Sequence, residues 1–327
     1  MIKKKDITIV VQGPYYPKIT PKVLNNLLIK FKDSELILST YKNEQIDNKF
    51  KKNFKIVYNK ILPDIMQSLN PKNPIYFNYF RHIRSSLNGI KKSSKKYVLK
   101  TRSDVLFNNT NFLDYFDKFK FVDKENVILK KKVLISSHYT VDPRKLPLPF
   151  HFSDWFFFGL KSDLIKIFDQ NYMSKENKKV PDWFLNKKKP KFFFNEYASR
   201  FRSEQNLTLN FLKKYKKINI KHAYDHNFKN IILSEKILVS NFVVLNPNLI
   251  SISSLKHPNF ANTQDLLFFN ELVTFKKWQK LYKKYSFKKY KIRNIYLLDF
   301  FKSLRWILTN PKEAIYRFHQ YKIYKKF

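Results

Sequence analysis

Short apolar runs alternate with amphipathic segments through the first 107 residues, and that alternation leaves few folds open. Ile7 to Val11 is uninterrupted and apolar, the pattern of a strand buried on both faces. Thr20-Pro21 reads as a helix start with Pro at the first helical position, and Val23, Leu24, Leu27, Leu28 and Phe31 then mark one apolar face. Glu35 to Thr40 (ELILST) and Lys55 to Tyr58 (KIVY) read as the second and third strands. Residues 78–90 follow as a helix with Phe80, Ile83, Leu87 and Ile90 on one side. Arg81, Ser85 and Asn88 lie opposite, as a solvated face or one turned to a ligand. Residues 96–100 return to strand. This rhythm predicts an α/β fold whose mostly parallel sheet is flanked by helices.

The rest of the chain is less regular. Val127 to Ser136 has strand character, and Val141 to Pro149 is a proline-rich connection. Trp155 to Leu160 (WFFFGL) reads as a buried strand, with a helix starting at Ser162. Lys175 to Lys191 is a basic loop, residues 204–215 a helix, and residues 237–245 (ILVSNFVVL) a late strand. From about Phe275 the chain is basic and aromatic. Leu297, Leu298, Phe301, Leu304, Trp306 and Ile307, with Lys302 and Arg305, suit either a patch on an anionic membrane surface or a helical subdomain packed on the core.

Composition narrows function mainly by exclusion. The chain has no cysteine, which removes disulfides and thiolate metal sites. MIKKKDITIVV imitates a signal peptide, but its apolar run is short and leads into Gln12-Gly13-Pro14, so a first strand is expected. No stretch reaches the ~18–20 apolar residues of a spanning helix, and a cytoplasmic protein, soluble or peripheral, is expected. The formal net charge of +40 attracts polyanions. Only nine of the 65 basic residues are Arg, a Lys-rich bias that AT-rich codons also produce. That bias, and the lack of a zinc-finger or RRM signature, disfavour nucleic acid as partner. The phosphate-loop, dinucleotide and GxSxG signatures are missing too. His222 and His226 are four apart with no HExxH pattern, the mark of a surface pair.

Glycine is scarce. Gly13, Gly89 and Gly159 are the only three, and each is expected where a side chain is not tolerated.

Ligands of open α/β sheets bind beyond the carboxyl ends of the strands. Gln12-Gly13-Pro14, Ser39-Thr40 and Thr101 to Asp104 all fall there, and Asn78 and Arg81 start the helix that begins at the same edge. Asp104, flanked by Lys100, Arg102 and Ser103, offers one oxygen ligand for Mg²⁺ or Mn²⁺ and cations for a diphosphate, or else a turn with a salt bridge. Asp154, set before the WFFF run, suits a general base with a raised pKa or a loop cap. Glu204, in a first helical turn, complements the helix dipole.

Several segments together resemble the WavE lipopolysaccharide-synthesis family. They are ITIVVQGP (7–14), LILST (36–40), Asn78, Arg81 and Ile83 in the helix, KKYVLKTRSD (95–104), HFSDWFFFG (151–159), SEQNL (203–207) and SNFVVLNPNLISISSLK (240–256). Two departures are His82, where the family pattern has Gln, and Tyr41-Lys42-Asn43 after LST. The resemblance implies a GT-A-like glycosyltransferase domain over residues 1–256, with a nucleotide-binding half to about 110 and an acceptor half beyond. Residues 257–327 would be a helical, basic and aromatic extension.

The implied reaction moves a sugar from a nucleotide sugar to a lipopolysaccharide, lipooligosaccharide or capsule acceptor. Gln12, Gly13, Pro14, Thr40, Asn78, Arg81, Lys100, Arg102 and Ser103 would hold the donor, Asp104 would meet the metal, and Asp154, then Glu204, would serve as base. The metal-binding DxD loop of such enzymes has Arg102 at its first acidic position here, so Mg²⁺ or Mn²⁺ would rest on Asp104 alone. A basic nucleic-acid-binding protein and a non-catalytic scaffold of the same fold are the alternatives.

Overall fold

The computed structural model describes residues 2–62, 65–66, 76–120, 124–146, 148–170, 201–221, 223, 225, 227–257, 271–286, 308 and 311. Its centre is a seven-stranded sheet in the order β10-β8-β9-β6-β1-β2-β3. The strands are β1 (Ile7–Gln12), β2 (Glu35–Tyr41), β3 (Lys55–Asn59), β6 (Tyr97–Arg102), β8 (Val133–Ser136), β9 (Phe157–Leu160) and β10 (Phe242–Leu245). The intervening β4 (Ile65–Met66) and β5 (Tyr76–Phe77) pair with each other, and β7 (Val105–Phe107) pairs antiparallel with β11 (Ile252–Ser254).

Within the seven-stranded sheet all strands but β9 run the same way; β9 is antiparallel to both of its neighbours. The expected mixed α/β sheet, mostly parallel, is therefore present. Residues of β1 are buried along its whole length, as covering a sheet on both faces requires. The reversal of β9 matters for the site: the residues leading into it, Asp154 to Phe156, lie at the edge where the parallel strands end.

Helices α1 (Thr20–Lys30), α2 (Asn48–Asn53), α3 (Tyr79–Lys92) and α4 (Lys161–Phe168) accompany the first half. The predicted apolar face of α1 is buried through Val23, Leu24, Leu27 and Phe31. Later in the chain come α5 (Ser203–Leu212), α6 (Phe228–Asn241), α7 (Pro247–Ile250) and α8 (Phe275–Ser286). Trp278 of α8 is fully buried in the same hydrophobic cluster as the sheet residues. The rest of the predicted basic-aromatic tail, the Lys175 to Lys191 loop, and His222 and His226 lie outside the described residues, apart from residues 308 and 311.

Three expectations are corrected. The run 237–245 is not one strand: its first five residues end α6 and only Phe242–Leu245 are extended. Asn227 starts that helix by accepting from the Asn230 amide at 3.0 Å, and Ile237 to Asn241 are buried all round, which makes the helix as apolar as a strand. Val127 to Ser136 is strand only from Val133.

The Arg81–Ser85–Asn88 side of α3 is not simply a solvated face. Ser85 is fully buried, its carbonyl accepts from Ser39 Oγ at 2.7 Å, and Asn88 donates to Asn59 at 2.8 Å. Gly89 makes that approach feasible: a Cβ there would lie 2.4 Å from Val10 Cγ1 and 3.0 Å from Ser39 Cβ.

Candidate active site

The carboxyl ends of β1 and β6 are adjacent in register, Gln12 opposite Arg102. Their loops are stitched together by hydrogen bonds: Ser103 N donates to the Gln12 carbonyl at 3.0 Å and Ser103 Oγ to the Pro14 carbonyl at 2.8 Å. Thr20, at the start of α1, donates to the Ser103 carbonyl at 3.2 Å. Gly13 has φ +132°, a backbone state that L residues avoid, and a Cβ would stand 2.8 Å from Ser103 Oγ. The QGP turn thus needs glycine both for its dihedral and for the closeness of the two loops.

Above this turn opens a pocket of about 470 Å³, lined by Gln12, Gly13, Pro14, Tyr16, Asn78, His82, Arg102, Ser103, Asp104, Asp154 and Lys256. Seven of the residues expected for donor or metal binding line it, and so does the expected base, Asp154. Antiparallel pairing of β7 with β11 brings Lys256 in, because Leu255 N donates to the Asp104 carbonyl at 2.9 Å. Lys256 reaches Tyr16, Nζ to the hydroxyl at 3.1 Å and 4.9 Å above the ring.

Three expected residues stand elsewhere. Thr40 is fully buried and donates to Glu44, whose carboxylate also accepts from the Tyr15 amide at 2.9 Å. That bond leaves Thr40 holding the loop after β2 rather than facing the pocket. Arg81 is not among the pocket-lining residues. Lys100, also fully buried, lies beneath the pocket, where its Nζ donates at 2.7 Å to the Asp154 carbonyl.

Asp104 is buried, and both its oxygens accept from Arg102, Nε and Nη2 each at 2.8 Å; Ser254 Oγ adds a 3.3 Å contact. Burial would push this carboxyl up, but the Arg102 guanidinium more than offsets that and holds it below the usual carboxylate range. Arg102 stacks 3.9 Å over the Trp155 ring. A divalent cation on Asp104 would have to displace a bidentate guanidinium and sit beside its charge. Among the described residues no group of three His, Cys, Asp or Glu side chains is placed to hold an ion. The residues present do not fit the metal that the DxD analogy implies.

Asp154 lines the pocket and is partly exposed there. Burial, then the charge of nearby Glu204, pushes its pKa up, against the pull of Lys100 and Arg102. Glu204, in the first turn of α5, is 3.4 Å from His151 Nε2 and is itself raised by burial. It does not line the pocket, and its charge acts on Asp154.

His82, Tyr16 and Lys256 are site residues that sequence reasoning missed. The one signal available was that His82 departs from the family pattern. Its ring sits between Lys100, with Nε2 to Nζ at 2.7 Å, and Asp154, with Nδ1 to the carboxylate at 3.7 Å. Burial, then the Lys100 and Arg102 charges, holds its pKa well below normal, so the ring is neutral.

No curated protein matches the chain. One solved structure similar to it is a glycosyltransferase involved in the glycosylation of the major capsid of PBCV-1, at 14% identity over 80% of this chain and 98% of that one. The TM-score is 0.30, too low to carry an argument. The family comparison is decisive: the model for WavE lipopolysaccharide synthesis matches residues 7–310, nearly the whole length. The chain belongs to the WavE lipopolysaccharide synthesis family.

Proposed function

We propose that the protein is a GT-A-like glycosyltransferase that moves a sugar from a nucleotide sugar to a glycan or glycolipid acceptor of lipopolysaccharide or capsule synthesis. The observation that carries this reading is the convergence, in one pocket at the sheet edge, of a glycine turn, the half-buried Arg102 and the half-buried Asp154 carboxylate. The Gln12-Gly13-Pro14 turn gives the donor close access to backbone. Arg102 and Lys256 offset the diphosphate charge without a metal, and Asn78 lies beside them.

Asp154 takes the proton of the acceptor hydroxyl. The acceptor oxygen then bonds to the anomeric carbon, and the carbon–oxygen bond to the diphosphate breaks with its electron pair leaving on the nucleoside diphosphate. A carboxylate raised by burial is a stronger base than a solvated one, which suits this role.

The proposed setting is the cytoplasmic face of the inner membrane. Helix α8 supports it, with exposed Lys276 and Lys283 opposite its buried Trp278 and Leu281. Sugar transfer by purified wild type and Asp154→Asn tests the reading. Loss of transfer in a folded, donor-binding variant is expected. Wild-type transfer by that variant would remove Asp154 as base.

A further inference from the structure

Lys100 is placed as no donor-binding residue would be. It is fully buried, it lies under the pocket floor, and its Nζ has two polar contacts of 2.7 Å, to the Asp154 carbonyl oxygen and to His82 Nε2. The rings of Phe157 and Phe168 flank it at 5.8 Å each. An ammonium has three donors and no acceptor. His82 Nε2 must then accept, and in a neutral imidazole the hydrogen falls to the other nitrogen. That nitrogen, Nδ1, is the one facing the Asp154 carboxylate.

We propose that Lys100 is a positioning residue: it sets His82 in the Nδ1–H tautomer, so that the ring turns an N–H dipole toward the Asp154 carboxylate, and it ties the Asp154 backbone to the same point. At 3.7 Å the ring and carboxylate are short of a hydrogen bond, so the ring's effect is to orient the charge rather than to take its proton. The consequence for catalysis rests on the reading of Asp154 as base; the tautomer does not.

The charged and titratable groups around this unit come from each element packed on it. Asp154 feels Glu204 of α5, Lys100 and Arg102 of β6, and His151 of its own loop; Lys100 also feels Asp104. Burial lowers Lys100 to about 7, so near neutrality it exchanges between ammonium and amine. The ammonium can only donate to Nε2, whereas the amine carries a lone pair able to accept from it, so the Nδ1–H tautomer is the one set below that pH, where the test is read.

The test is long-range ¹H–¹⁵N correlation on histidine-labelled protein, with His82→Gln to assign the resonance. Wild type is expected to show His82 as Nδ1–H. Lys100→Met should lose that preference, and Lys100→Gln, which retains an N–H donor, should restore it. In transfer assays Lys100→Met should lower kcat about 100-fold at nearly constant KM, the scale of a misplaced catalytic group. An Nε2–H tautomer in wild type overturns the proposal even if no variant folds. An unchanged tautomer in Lys100→Met also overturns it. Wild-type transfer by Asp154→Asn, with the tautomer as proposed, would refute only the base assignment.

Discussion

Replacing Asp104 by Asn separates a structural clamp from a metal ligand. The carboxylate is 1% exposed and gives both oxygens to Arg102 at 2.8 Å. Removing one partner of a buried ion pair costs about 3–5 kcal/mol. Arg102, however, keeps 28% side-chain exposure and its stack on Trp155, so part of its charge rehydrates. A loss of about 2–3 kcal/mol is therefore expected.

The pH dependence has a fixed sign. The folded pKa of Asp104 is depressed, so its contribution is present above the unfolded value, about 3.9, and is lost as pH falls through the folded one. Urea denaturation of both proteins, metal-free, at neutral pH and in acid is the assay. The gap between them should be about 2–3 kcal/mol at neutral pH, close in acid, and be unmoved by Mn²⁺. Equal stability without metal, together with a Mn²⁺-dependent gain in wild type alone, would refute the clamp and restore Asp104 as a ligand.

Two further outcomes follow from packing. Gly89→Ala forces a Cβ to within 2.4 Å of Val10 Cγ1, and overpacking of this kind should cost about 1–3 kcal/mol in the same denaturation assay. Glu235 of α6 is buried and accepts from Arg144 (Nη2 at 2.9 Å) and Tyr285 (2.5 Å), so Glu235→Gln should cost about 3 kcal/mol and raise hydrogen exchange across Phe275–Ser286. Its carboxyl, which burial would raise but Arg144 holds low, loses that contribution as pH falls; unchanged exchange in the helix would show that the anchor does not matter.

The parts of the fold legible from sequence were those whose physics is local. Buried parallel strands are near-continuous apolar runs, so β1, β2 and β6 announced themselves within a residue or two, and the half-exposed edge strand β3 did so through its β-branched Ile56-Val57. The same rule failed at 237–245, because a helix buried all round gives the same apolar run as a strand. Ser85 was grouped with Arg81 and Asn88 as a solvated or ligand-facing side because smallness, which lets α3 approach the sheet, is invisible to hydrophobic periodicity; the scarcity of glycine did point to Gly89.

At the site, turn chemistry pointed to Gln12-Gly13-Pro14 and to the loop after β6. Lys100, read as a donor contact from its neighbours in sequence, is buried because alternate residues of a central strand both face packed layers. Tyr16 and Lys256 were not legible as site residues, and His82 stood out only as a departure from the family pattern. Their roles come from contacts 18 to 240 residues apart.

The central claim is that the pocket over the glycine turn binds a nucleotide sugar. Thermal unfolding of wild type and Gly13→Ala with UDP-, GDP-, ADP- and CMP-sugars, with and without Mn²⁺, measures it directly. One base class should raise the wild-type melting temperature without Mn²⁺, with stabilisation near 2.7 kcal/mol at about 100 times Kd. Gly13→Ala should lose most of that shift, because its new Cβ crowds Ser103 in the turn. No shift with any sugar nucleotide, or an equal shift in the variant, would contradict the account.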